Sequence, residues 1–213
     1  MISYATAVGL CADSYDRAAV WYAQWSAGNV YLCLRRTAAA DLFVFRGSDD
    51  ETDWLRDLQG WPSLDPLVGY CHSGFLSGME GATAEIAKAL SGRPYALLGH
   101  SLGAAHACIA GGRLAVLGRP PAAILGFGCP NPGFAKLSAI LRNCGAAITL
   151  YRNGPDPVAE VPLYLPPLFD YQKPVLDTPV RGEPDDPLDL LAWHMIANYM
   201  RANYPATTGG KTA

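Results

Sequence analysis

The segment Leu97-Leu98-Gly99-His100-Ser101-Leu102-Gly103 carries the pattern Gly-x-Ser-x-Gly. The apolar run Tyr95-Ala96-Leu97-Leu98 enters it and reads as a short buried strand. The alanine-rich run Ala104-Ala105-His106-Ala107-Cys108-Ile109-Ala110 leaves it and reads as a helix. A serine on so tight a strand-to-helix turn is forced into a sparsely populated backbone conformation, with its oxygen held clear of the sheet. That context makes the pattern a nucleophile elbow. A Cβ at either flanking glycine would collide with the strand or the helix.

On the N-terminal side, Val30–Leu34 and Asp41–Phe45 read as two strands joined by the turn 35–40, and the second runs into Arg46-Gly47-Ser48-Asp49-Asp50. Residues 3–25 carry Tyr4, Ala7, Val8, Cys11 and Tyr15 at helical spacing and predict an opening helix. Thr52–Leu58 reads as a short amphipathic helix, and Gly60–Gly69 as an irregular stretch holding Trp61, Leu64 and Leu67. From Ser73, the positions Phe75, Met79, Ala82, Ile86 and Leu90 predict one helix, stopped by Gly92-Arg93-Pro94.

Beyond the elbow the chain predicts a helix over 102–117, a strand over 122–127, a helix over 134–142 and a strand over 147–151. Alternation of this kind with right-handed crossovers gives an α/β fold, a mostly parallel central sheet with helices on both faces. Nine of the seventeen prolines then fall between Pro155 and Pro187. That segment predicts a surface excursion rather than helix or central strand, although Val161, Leu163, Leu165, Leu168 and Phe169 give it apolar weight. Asp186-Pro187 reads as a cap and first helical position, with Leu188, Leu191, Met195 and Tyr199 predicting a final helix to about Asn203. Residues 205–213 read as a flexible tail. No internal repeat or second domain is visible, so residues 1–213 are expected to form a single domain.

The 213 residues are half hydrophobic and only 16% charged, as in a well-packed globular protein. The net charge of −3 and the lack of any basic run argue against nucleic acid as a partner. No apolar run is long enough to span a bilayer. The six cysteines (11, 33, 71, 108, 129, 144) are widely spaced in apolar surroundings and predict buried thiols, not a disulfide framework or a zinc site. No secretory signal is visible, so the expectation is a cytoplasmic protein or one exported by a signal-independent route.

A serine hydroxyl needs a base within hydrogen-bond reach, and that base needs a third group to fix its tautomer. The chain has four histidines. His100 adjoins Ser101, and its side chain points away from the serine's. His106 reads as a core or surface histidine of the following helix. His72 sits at a strand end that could lie near the site. Elbow hydrolases order the triad serine, acid, histidine along the chain, which selects His194. The acid belongs just past a later strand, at the carboxyl end of the sheet, and Asp156 follows Thr149-Leu150-Tyr151-Arg152 at that place. Asp170, Asp177, Asp185, Asp186 and Asp189 are the other late acids, with no strand end to hold them. The oxyanion formed in acyl transfer needs two N–H donors. Leu102, after the serine, and Ser48, on the loop after an earlier strand, are placed to supply them.

With these residues assembled, the chain resembles the class 3 lipases, the fungal-lipase-like branch of the α/β-hydrolases. Phe45-Arg46-Gly47-Ser48, His72-Ser73-Gly74-Phe75, Gly99-His100-Ser101-Leu102-Gly103 and Asp156-Pro157-Val158 followed by His194 carry the likeness, with Phe127-Gly128-Cys129-Pro130 in support. The resemblance spans residues 41–200 and implies the α/β-hydrolase fold and hydrolysis of carboxylic esters without metal or cofactor. It implies Ser101 as nucleophile, Asp156 as acid, His194 as base, and an oxyanion hole at Ser48 and Leu102; His72 then falls in a structural segment. It also implies that Thr52–Leu58, with Trp54 and Leu55 on one side, is a lid remnant. One departure stands out: Pro187 predicts a helix begun before His194, whereas the family presents this histidine from a loop.

The expected reaction is lipase or esterase chemistry through an acyl-enzyme. The substrate would be a small-molecule or lipid ester, in an acyl pocket lined by Trp54, Trp61, Leu163 and Leu165 and suited to short or medium chains. Contact with a lipid surface would be at most transient. The same elbow also serves phospholipases, thioesterases and acyltransferases, and a catalytically silent binding module is a further alternative. Oligomeric state is not legible.

Overall fold

In the computed structural model, the described residues are 2–48, 61–163, 165 and 168–202. Helix α1 (Tyr4–Asp13) is capped by Ser3, whose hydroxyl accepts from the N–H of Thr6 at 3.1 Å. The helix stops at Ser14, so the helix predicted over 3–25 is less than half its expected length. Residues Ala23–Ala27 are instead strand β1, whose burial alternates residue by residue. That period of two, not the helical spacing upstream, governs the segment.

Strands β2 (Val30–Arg36) and β3 (Asp41–Arg46) continue from β1 as an antiparallel meander. Residues expected to be irregular form a small separate hairpin, β4 (Pro62–Asp65) and β5 (Gly69–His72). Its turn is built by Asp65, whose carboxylate accepts from the N–H groups of Leu67 (2.9 Å) and Val68 (3.1 Å). The single helix predicted from Ser73 is two, α2 (Ser73–Leu76) and α3 (Met79–Ala89). Gly78 breaks them apart at φ 88°, where a Cβ would lie 1.8 Å from the carbonyl oxygen of Ala27. The helical spacing survives the break, so spacing alone hides it.

The rest alternates as expected: β6 (Tyr95–His100), α4 (Leu102–Val116), β7 (Ala123–Phe127), α5 (Ala135–Asn143) and β8 (Ala147–Asn153). Most of the proline-rich excursion is irregular, but Thr178–Val180 adds a short edge strand, β9. The main sheet runs β1-β2-β3-β6-β7-β8-β9 and is parallel from β3 onward. This is the α/β-hydrolase architecture, a mostly parallel sheet with helices around it.

Alternation along each strand feeds two cores. Phe43, Phe45, Leu97 and Ile124 face α3, α4 and α5 on one side. Leu42, Val44, Leu98 and Phe127 face α1 and the C-terminal helix α6 (Ile196–Arg201) on the other. Helix α4 is enclosed almost all round, from Leu102 to Leu114, which explains its alanine and glycine content.

The helix predicted to start at Pro187 does not form. The Asp186 carboxylate accepts from the N–H of Leu188 (3.0 Å), and that of Asp189 accepts from Leu191 (3.0 Å). These turns compete with helix and win. His194 instead closes a 3-10 turn, Ala192–His194, before α6 begins. Thr52–Leu58 and the tail 205–213 lie outside the described residues.

Candidate active site

Ser101 occupies the turn between β6 and α4 at φ 56°, ψ −130°. It is the only positive-φ residue other than glycine among the described residues. A β-substituted residue persists there only if its surroundings over-determine it. They do: a Cβ on Gly99 would lie 2.2 Å from the carbonyl oxygen of Gly103, and one on Gly103 would lie 2.1 Å from that of Phe45. Strand and helix thus meet through bare backbone. The N–H of Ser101 is tied to the carbonyl of Phe127 at 2.9 Å.

The fold brings Asp156 and His194 together from 38 residues apart: Nδ1 of His194 lies 2.9 Å from Oδ2 of Asp156, with both side chains buried. The same carboxylate accepts from the Tyr199 hydroxyl (2.5 Å) and, through Oδ1, from the N–H of Val158 (2.9 Å). Burial by itself would raise the carboxyl. The His194 imidazole and these hydrogen bonds outweigh it and hold Asp156 below the ordinary carboxylate value. Burial, and then the carboxylate beside it, push the Tyr199 phenol well above its own. Asp156 is therefore the charged partner and Tyr199 a neutral donor.

On its other edge the imidazole of His194 presents Nε2, which is buried and has no hydrogen-bond partner among the described residues; the Oγ of Ser101 is in the same state. Gly128 packs against the pair. At φ 57°, a Cβ there would stand 2.6 Å from Cε1 of His194 and 2.8 Å from Oδ2 of Asp156.

Asn153, at the end of β8, holds the backbone around the pair. Its amide donates to the carbonyls of Gly182 (2.9 Å) and Trp193 (3.0 Å), and its oxygen accepts from the N–H of Gly182 (2.6 Å). Its own N–H donates to the Tyr199 hydroxyl at 3.0 Å. Sequence reading gave no role to Asn153 or Tyr199. Each acts across more than 25 residues, and the only local signal is a polar amide at a strand end three residues before the acid.

Ser48 follows β3 on a loop and is partly buried, and Leu102 opens α4. His106 is buried within α4, and burial pushes its imidazole down to about 3. His72 is buried at the end of β5 and packs on Phe75 at 4.3 Å between ring centroids. Of the expected pocket residues, Trp61 is 75% exposed and packs on Phe169 at 5.7 Å; Leu163 and Leu165 are exposed nearby in the chain. Trp54 lies outside the described residues. Among the described residues no group of three or more His, Cys, Asp or Glu is arranged to hold a metal ion.

The family described as Lipase (class 3) matches residues 42–165. No match is found among curated protein sequences. Several solved lipases share the fold. The triacylglyceride lipase of Rhizomucor miehei is 22% identical with a TM-score of 0.68, covering 84% of this chain and 78% of its own. Lipase II of Rhizopus niveus is 20% identical with a TM-score of 0.69, over 84% and 78%. A triacylglycerol lipase whose catalytic centre is formed by a serine protease triad is 19% identical with a TM-score of 0.69, over 91% and 90%. At these identities the likeness is one of fold.

Proposed function

Since the chain belongs to the class 3 lipase family and is a carboxylic ester hydrolase, we propose that it cleaves its substrate through a Ser101–His194–Asp156 triad and an acyl-enzyme. The observation that carries this reading is the pairing at 2.9 Å of His194 with Asp156, while Nε2 of His194 and Oγ of Ser101 are both buried with no hydrogen-bond partner among the described residues. Asp156, ionised and accepting from Nδ1–H, leaves Nε2 as the lone pair that takes the serine proton. The serine oxygen then attacks the ester carbonyl. The N–H groups of Leu102 and Ser48 receive the oxyanion, the imidazolium returns its proton to the leaving alcohol, and water repeats the cycle on the acyl-enzyme.

The substrate class is a lipid or small-molecule ester of short to medium acyl chain. The exposed apolar side chains of Trp61, Leu163 and Leu165 support contact with an apolar substrate. Ser101 is fully buried, so substrate entry requires the site to open.

The test is hydrolysis of p-nitrophenyl butyrate together with labelling by a fluorophosphonate probe. The wild-type protein is expected to hydrolyse the ester and take up the probe, and Ser101→Ala to do neither. Equal hydrolysis by the two proteins overturns the mechanism. A panel of phospholipid, thioester and acceptor-alcohol substrates separates the lipase reading from its neighbours in chemistry.

A further inference from the structure

A hydrogen-bonded chain crosses the sheet end behind the site. The N–H of Gly47, next to Ser48, donates to the Tyr15 hydroxyl at 3.1 Å. That hydroxyl lies 2.8 Å from Nδ1 of His100. Nε2 of His100 lies 2.8 Å from the main-chain carbonyl of His194. A carbonyl only accepts, so Nε2 carries the hydrogen. Nδ1 is then an acceptor, and the Tyr15 O–H donates to it. Every direction in the chain is thereby fixed. The His100 ring also lies under the His194 ring, at 4.8 Å between centroids and 27° between planes.

We infer that Tyr15 and His100 are positioning residues for the ester hydrolysis: one relay that sets the oxyanion loop and the histidine-bearing turn at a fixed separation. The inference rests on the Ser101–His194–Asp156 reading. Its physical content is geometric. The Ser48 N–H and the His194 imidazole must flank the same carbonyl carbon, yet they sit on segments nearly 150 residues apart in sequence. They are carried by a loop after β3 and a single 3-10 turn, neither of which is rigid on its own. The relay ties both to His100, which is fully buried at the end of the central strand β6.

The stack adds a second effect. Burial, with His194 alongside, pushes His100 down to about 3, so the ring stays neutral. A neutral π-face beneath His194 tolerates the imidazolium that forms when Ser101 gives up its proton, whereas a charged ring would oppose it. The residue beside Ser101 thus bonds through its side chain to the turn that carries His194.

Tyr15→Phe removes one oxygen and keeps the ring. It is expected to lower kcat on p-nitrophenyl butyrate about tenfold while KM stays within about twofold, because the loss is of alignment in the transition state. His100→Gln presents an N–H toward the His194 carbonyl and an oxygen toward Tyr15, and is expected to keep kcat within about threefold of wild type. His100→Phe keeps the stacked ring and loses both hydrogen bonds. It should fall at least as far as Tyr15→Phe, with no further loss in the double variant, since both belong to one relay. Unchanged kcat in Tyr15→Phe, a KM rise without a kcat loss, or equal losses in His100→Gln and His100→Phe each overturn the inference. Tyr15→Phe decides the matter even if His100→Phe does not fold. Fluorophosphonate labelling of wild type and Ser101→Ala, run alongside, reports on the triad separately.

Discussion

Two histidines six residues apart meet opposite treatment. His100 has a partner on each ring nitrogen, whereas both nitrogens of His106 are buried without one among the described residues, the ring lying 6.2 Å from that of Phe45. Burial holds both near a pKa of 3, against about 6.5 in the unfolded chain. The sign follows from linkage. Above about pH 6.5 neither state binds the proton and stability is intact. As pH falls from there toward 3 the unfolded chain is protonated first, and each histidine withdraws about 1.4 kcal/mol per pH unit. The urea midpoint is therefore expected to fall as pH drops from 6 to 4. His106→Leu, which keeps the volume and removes the titration, should fall less steeply and gain most at the acid end. Equal slopes in the two proteins would place the acid sensitivity elsewhere.

Among the elements, α4 does more than follow Ser101. Arg113, near its C-terminus, pairs with Asp65 of the β4–β5 hairpin, and both are less than 10% exposed. The hairpin hands the chain directly to α2, so this ion pair ties the entry to α2 to the central helix α4. Removing one partner strands a buried charge. Arg113→Met is expected to cost about 3–5 kcal/mol in urea unfolding, and Asp65→Asn with Arg113→Met clearly less, since the amide oxygen still serves Leu67 and Val68. Additive losses would show that the pair is not coupled. The elements also show what sequence periodicity conveys. The main-sheet strands β2, β3, β6, β7 and β8 were legible because each is a short apolar run bounded by turn residues, whereas the polar β4–β5 hairpin was not. The break at Gly78 was not, because Phe75 and Met79 stay four residues apart through it. The false start at Pro187 arose because Asp186 and Asp189 cap turns as readily as helices.

For the whole molecule, what was legible of the site follows the same division. Ser101, Asp156 and His194 could be picked out as candidates from chain order, and the structure pairs the last two at 2.9 Å. Tyr15, Asn153 and Tyr199 could not. Each meets its partner only through tertiary contact, and an isolated tyrosine or asparagine in sequence says nothing about what lies opposite. Tyr199 illustrates the point: at the sequence level it reads as one apolar position of a final helix, yet its hydroxyl donates to the Asp156 carboxylate.

Helix α6 is six residues long, too short to persist without its neighbours, and α1 is one of them: the Tyr4 hydroxyl donates to the Tyr199 carbonyl at 2.7 Å. The turn bearing His194 is thus held from two sides, by the sheet through Asn153 and His100 and by a clasp between α1 and α6. Such a clasp belongs to the part of a protein that opens first. In rising urea, turnover should vanish at a lower concentration than the far-ultraviolet circular dichroism of the strands, leaving an inert but still largely folded species; coincident transitions would show that the clasp and the sheet melt as one.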